Sequence, residues 1–196
     1  MRMSFELEFA EPLLGTAPGD DEIYQSFVAD KCKNGVQKDE MEALPAEDQI
    51  EKGTTVFTRT ADNVPCLWDY QVKGFFKDAC GVLRRVPKSD DSKLKAFKKV
   101  IDGLIFVYPR MIPLVLPEGN ELGFCERPLR TSGPMGERVA LARSEEAPAG
   151  TKIQIEVECL DDSLMDYVLD WFKYGEKRGL GQWRNSGKGR FKYREL

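Results

Sequence analysis

The densest chemistry in this sequence lies in one stretch, Gly175-Glu-Lys-Arg-Gly-Leu-Gly-Gln-Trp-Arg-Asn-Ser-Gly-Lys-Gly-Arg190. Glycines at 175, 179, 181, 187 and 189 allow positive φ and close approach to another backbone. Amide groups exposed in such a loop can form a nest for an anion. Lys177, Arg178, Arg184, Lys188 and Arg190 supply positive charge, Trp183 offers a stacking face, and Asn185 and Ser186 lie among them. That mixture suits a phosphate backbone carrying a base. It is not a phosphate-binding P-loop: the run from Gly181 to Gly187-Lys188 is one residue too long, and no Ser or Thr follows the lysine. It is not a dinucleotide-binding turn either, because Gln or Asn stands where the third glycine belongs. A plain hairpin turn is the competing reading.

A second candidate is Asn63–Cys80. Gly74 sits inside an otherwise good helical pattern, where it costs about 1 kcal/mol relative to alanine. A close neighbour would explain it, either a packed backbone or a phosphate near the helix start. Lys73 stands beside it to neutralise such a phosphate.

Other chemistry is excluded by what is missing. The chain has no histidine. Ser-His-Asp and Cys-His nucleophiles, histidine acid–base catalysis and His-ligated metals are therefore ruled out. Five cysteines, Cys32, Cys66, Cys80, Cys125 and Cys159, are odd in number, far apart and without a CxxC pair. They read as reduced thiols in a cytoplasmic protein. No run approaches the roughly 18 apolar residues of a membrane span, and the N-terminal residues lack the apolar core of a signal peptide. No membrane partner is expected.

The net charge of −4 conceals a segregation. Residues 71–99 carry nine Lys/Arg against three acids, and residues 173–195 carry eight against two. Two basic segments on an acidic body can build a positive stripe for nucleic acid, or two solvated faces.

These residues need elements to hold them. Met3, Phe5, Leu7 and Phe9 alternate with polar residues as a half-buried strand, ended by Pro12 and Gly15. A short helix with Ile23 and Phe27 on one face follows, capped by Asp20 or Asp21. The acidic, weakly patterned segment 31–53 reads as an insertion or mobile loop, and 54–59 as a short strand. Asp69 looks like the N-cap of the clearest helix, with Val72, Phe75, Phe76, Ala79, Cys80 and Leu83 at helical spacing. Another helix is predicted over 91–101, then a strand bent at Pro109 and Pro113 over 103–116. Residues 117–136 read as a loop or hairpin, with a strand at 138–143. Ile153, Ile155, Val157 and Cys159 alternate in a further strand. A helix runs from Asp162 to Tyr174, Gly175 opens the basic loop, and residues 190–194 form the last strand, with Phe191 and Tyr193 inward. The order predicts one α+β domain over 1–196. Its core would be ferredoxin-like (RRM-like), an antiparallel sheet with helices on one face and insertions.

Both chemical segments then acquire a family context. "PCLWDYQVKGFFKDACGVL" is similar to the P-x-x-P-G-S-S-L-K-G-x-x-R segment of the repeat-associated mysterious protein (RAMP) superfamily. "GLGQWRNSGKGRF" resembles its C-terminal G-x-G-x-x-R-S-x-G-x-G-R loop. "FELEFAEPLLGT" resembles its opening strand, and "EEAPAGTKIQIEVECLDD" its strand before the last helix. The four occur in family order and span nearly the whole chain. Residues 67–71 depart from the pattern, reading Leu-Trp-Asp-Tyr-Gln where the family has Pro-Gly-Ser-Ser.

The resemblance implies binding to the backbone of a guide RNA, as in the filament-forming subunits of CRISPR effector complexes, and head-to-tail assembly along the strand. Other effector subunits are implied partners. It places Lys73, Gly74, Gly181, Arg184, Gly187, Gly189 and Arg190 on the RNA path, with Lys77 near the family's arginine. Residues 177–190, from Lys177 through Gly179 to Lys188, form one binding stretch. Some members cut target RNA with an aspartate after the first strand. Asp20 and Asp21 are the nearest candidates here, and would help hold magnesium if the chain cleaves; otherwise no cofactor is expected. Three alternatives accompany RNA binding: a phage single-stranded DNA-binding protein, a magnesium-dependent endoribonuclease, and a decoy that blocks a CRISPR complex.

Overall fold

Alternating apolar residues place one face of strand β1, Arg2–Phe9, against the core, with Phe5, Leu7 and Phe9 fully buried. The computed structural model describes residues 1–19, 54–133 and 136–196. Asp20, Asp21, the short helix expected around Ile23 and Phe27, and the acidic segment 31–53 lie outside the described residues.

Two short strands follow, β2 (Leu13–Leu14) and β3 (Ala17–Pro18), then β4 (Thr55–Val56), β5 (Thr58–Arg59) and β6 (Pro65–Trp68). Helix α1 covers Asp69–Leu83, and α2 covers Phe97–Leu104. Next come β7 (Ile105–Tyr108), β8 (Met111–Pro113), β9 (Gly123–Gly133), β10 (Gly136–Ala147) and β11 (Lys152–Cys159). Helix α3 (Leu164–Arg178) and β12 (Phe191–Glu195) close the described fold.

The central sheet has the order β12-β1-β11-β7, antiparallel throughout. In chain order its units are β1–α1–β7–β11–α3–β12. This is the ferredoxin-like βαββαβ arrangement, as expected from the sequence. One face of the sheet carries Phe5, Leu7, Ile153, Ile155, Val157, Val107 and Phe191. Against it α1 sets Val72, Phe75, Phe76 and Ala79, and α3 sets Val168, Trp171 and Phe172. Ring contacts tie the layers: Phe5 to Phe172 at 4.9 Å, Phe76 to Trp171 at 5.4 Å and Phe75 to Phe191 at 5.5 Å. The opposite face is polar, as antiparallel sheets allow. Lys152 Nζ lies 3.5 Å from Glu6 and 3.3 Å from Glu8, Arg194 lies 2.9 Å from Glu6, and Arg2 pairs with Glu156. The hydrogen bond from Arg194 holds the Glu6 carboxyl below its ordinary range. Cross-strand charge pairs, not a basic platform, cover this face.

Several boundaries differ from the sequence reading. Asp69 is the first helical residue, not the cap, because β6 runs directly into α1. The Trp68 N–H donates to Gln71 Oε1 at 2.7 Å, and the Asp69 N–H to the Arg110 carbonyl at 2.9 Å. The helix expected over 91–101 is divided into a 3₁₀ turn at Asp90–Lys93 and α2, with Ala96 at φ +49° between them. The division lets buried Asp91 accept from Trp171 Nε1 at 2.7 Å. The region 117–136 and the strand at 138–143 form one long hairpin, β9–β10, continued into the sheet of β2, β4 and β3. Pro128 reads as a loop residue in sequence, but a strand paired along only one side, as β9 is among the described residues, tolerates it. Finally, α3 continues through Gly175 to Arg178. Gly175 is helical and buried because a Cβ there would overlap the Phe191 ring and lie 2.9 Å from Phe75 Cζ.

Candidate nucleic-acid interface

The loop after α3 owes its shape to residues with positive φ. Gly179, Gly181, Gly187 and Gly189 lie between +71° and +91°, and Trp183 at +52°. Buried Leu180 anchors it, its N–H donating to the Gly189 carbonyl at 2.9 Å, while the Gly189 N–H donates to the Pro12 carbonyl at 2.9 Å. A Cβ on Gly189 would overlap the Leu180 carbonyl oxygen. The Gly179, Ser186 and Gly187 N–H groups also donate to protein carbonyls. These five amides are therefore not available for the anion nest expected from the glycine content. Outward, the loop also presents charged side chains.

Those side chains meet α1. Arg184 donates to Asp78 Oδ2 at 2.7 Å, and Arg178 reaches the same oxygen at 3.4 Å. Arg178 also donates to Asn185 Oδ1 at 2.6 Å. One carboxylate thus joins the two basic segments into one surface. Around it, the side of α1 towards α2 opens a groove of about 720 Å³ lined by Lys77, Arg84, Arg85 and Lys98. Exposed Lys177 and Arg190 make no ion pair among the described residues. Lys188 pairs with Glu146 at 2.6 Å, and Lys77 with Asp102 at 2.5 Å. Lys73 donates to the Asp102 carbonyl at 3.1 Å, and partial burial lowers its pKa.

Gly74 is exposed, and apart from its chain neighbours and its own helix backbone no atom lies within 4 Å of the place where a Cβ would be. The packed backbone offered as its explanation is not there. Gln71, Gly74, Asp78 and Gly81 follow one another at helical spacing on a single stripe, and Arg85 lies just past its C-terminal end. At fifteen residues, α1 is about 22 Å long.

Trp183 is 40% exposed, with the Arg127 guanidinium 5.0 Å above its ring. Arg127 is buried and donates to Ser144 Oγ at 3.0 Å and Gln182 Oε1 at 3.2 Å. Gln182 Nε2 donates to the Gly15 carbonyl at 2.6 Å. Arg127 and Gln182 fix the platform, and sequence reading missed both. Their role depends on β10, whose extent the sequence concealed. Phe191 is buried and Tyr193 partly so, both in the core as expected.

Asp20 and Asp21 lie outside the described residues. Among the described residues no three Cys, Asp or Glu side chains gather to hold a metal ion. Burial pushes the Cys80 thiol up to about 12 and the Cys159 thiol up to about 11, so neither is a nucleophile at neutral pH. No described helix is long and apolar enough to cross a membrane.

No protein-family model matches the sequence, and no curated protein does. Solved structures match in fold. A chain of the Type III-B Cmr-beta complex bound to cognate target RNA superposes with a TM-score of 0.58 at 11% identity. The match covers 98% of this chain, which spans 58% of that one. A chain of a Type IV-B CRISPR complex matches with a TM-score of 0.51 at 13% identity, over 100% of this chain and 90% of its own. Cmr6 from Pyrococcus furiosus matches with a TM-score of 0.51 at 12% identity, over 98% and 97%. The likeness to these three chains shows a shared fold.

Proposed function

We propose that this chain binds the backbone of single-stranded RNA along the outer stripe of α1 and the loop 179–190, and assembles along the strand like a CRISPR effector backbone subunit. The observation that carries the reading is the meeting of Arg178 and Arg184 at Asp78, which merges two basic segments into one surface. Open Gly74 leaves room for a backbone to lie close to α1. The fold shared with chains of the Type III-B Cmr-beta complex bound to target RNA and of a Type IV-B CRISPR complex supports the same reading. Contacts to phosphate carry little sequence information, so binding would be largely indifferent to sequence.

Fluorescence anisotropy with a labelled single-stranded RNA over a salt series tests this. The wild type is expected to weaken linearly in log salt, and the double variant Arg184→Ala, Arg190→Ala to bind about 30-fold more weakly near 0.1 M salt, with a slope smaller by about 1.4. Unlabelled DNA of equal length measures how far the 2′-hydroxyl matters. A folded wild type that binds no RNA at low salt overturns the reading.

Asp78 gives a prediction of opposite sign. It is the acid at the centre of the cationic surface, so Asp78→Asn is expected to tighten RNA binding about three- to fivefold in the same assay. Because the pairs it makes are partly exposed, the loss of stability should be about 1 kcal/mol or less. Weaker binding by a folded Asp78→Asn would mean that the carboxylate chiefly orients the arginines.

A further inference from the structure

At the N-terminal end of the α1 stripe lies an open groove of about 540 Å³, lined among others by Thr16, Thr58, Trp68, Tyr70, Gln71 and Arg110. Its chemistry differs from the basic surface. The Trp68 and Tyr70 rings lie nearly parallel, 16° apart with centroids at 6.0 Å, and the Arg110 guanidinium sits 5.7 Å from the Trp68 ring. Tyr70 is 59% exposed.

The groove is also held rigid. Trp68 Nε1 donates to Thr58 Oγ1 at 3.1 Å, which fixes the indole. Gln71 uses both ends of its amide: Oε1 accepts from the Trp68 N–H at 2.7 Å, and Nε2 donates to Thr16 Oγ1 at 2.6 Å. The Asp69 N–H donates to the Arg110 carbonyl, so Arg110 is tied to the start of the helix. Bonds to Thr58, Thr16 and the Arg110 backbone thus fix the indole and the start of α1 beside the Tyr70 ring. A rigid amphipathic aromatic surface loses little conformational entropy when a flat ring stacks on it.

We infer that this groove receives one unpaired nucleobase, stacked on the Tyr70–Trp68 pair with its phosphate beside Arg110. The inference rests on the backbone-binding reading above and adds a base-dependent contact to it. A base is favoured over a proline-rich peptide by position: the groove is continuous, through Gln71 and Gly74, with the stripe that reaches Asp78, Arg178 and Arg184. A strand following that stripe brings a base to the groove without leaving the surface.

The test compares wild type with Tyr70→Ala and Tyr70→Phe on two probes, a labelled single-stranded RNA and a strand of equal length with an abasic run. Thermal unfolding confirms that each variant is folded. Tyr70→Ala is expected to weaken binding of the base-bearing RNA about tenfold and to leave the abasic strand unchanged, while Tyr70→Phe binds like wild type. Equal affinity of wild type and Tyr70→Ala for RNA overturns the base site while leaving the backbone reading intact, and would turn attention to a peptide ligand. Failure of the wild type to bind either strand overturns both.

Discussion

Gly189→Ala is expected to lower the thermal midpoint by roughly 10 °C and to abolish the RNA binding proposed for the loop. Two costs combine. The residue lies at φ +71°, a conformation that costs an L-residue about 1–2 kcal/mol. Its new Cβ would also overlap the Leu180 carbonyl oxygen, which is backbone and is fixed by the Leu180 N–H bond to the Gly189 carbonyl. Overpacking of that kind costs about 1–3 kcal/mol more. For a chain of this size each kcal/mol moves the midpoint by about 2–4 °C. Gly187→Ala is the control. It has the same sign of φ, at +91°, but the nearest atom to its Cβ is Arg190 Cζ at 3.6 Å, on a side chain that can move. Its expected loss is about half as large. Equal losses in calorimetry would show that the Leu180 turn yields, and that the collision contributes nothing.

The second large effect lies at Trp171. Its ring is fully buried against Phe76, and its Nε1 donates to the buried Asp91 carboxylate. Trp171→Ala removes the packing and leaves the acid without its indole donor, for an expected loss of about 5 kcal/mol in urea unfolding followed by circular dichroism. That is comparable with the whole stability of many domains. Trp171→Phe separates the terms by keeping most of the packing and deleting only the N–H, at about 1–3 kcal/mol. In the Trp171→Phe background, Asp91→Ala should then cost about 1–2 kcal/mol less than in the wild type. Strict additivity would mean that the bond carries no net stability.

The core was readable from sequence because its periodicities are physically enforced. β1 and β11 each have one wet and one dry face, so Phe5, Leu7, Ile153 and Ile155 alternate with polar residues. Helices α1 and α3 show their buried stripes for the same reason. The β9–β10 hairpin was readable only in part: 117–136 reads as a loop or hairpin and 138–143 as a strand, but the full length of both arms stays hidden because Pro128 and flanking glycines look like loop residues until their pairing is known. The basic segments could be counted but not assembled. Asp78 and Arg184 are 106 residues apart, and no local pattern announces their ion pair. The same holds for Lys188 and Glu146, 42 residues apart. The aromatic groove did leave a trace: Trp68 and Tyr70 occupy the positions where the resembled family has small residues. Reading those positions as added contact surface would have pointed to it.

The placement of β1 has a consequence in time. It is an inner strand, with Phe5 opposite Ile155 on one side and Glu195 on the other. Both partners are made about 150 residues or more after it. At roughly 5–20 residues per second, β1 waits on the order of 10 s on the ribosome before a neighbour exists. Meanwhile α1 emerges with Val72, Phe75, Phe76 and Ala79 uncovered and no sheet to receive them. Refolding in solution has no such wait but must still close the same distant pairs before they are rewarded. The nascent chain is therefore most exposed to aggregation while α1 has been made and β11 has not.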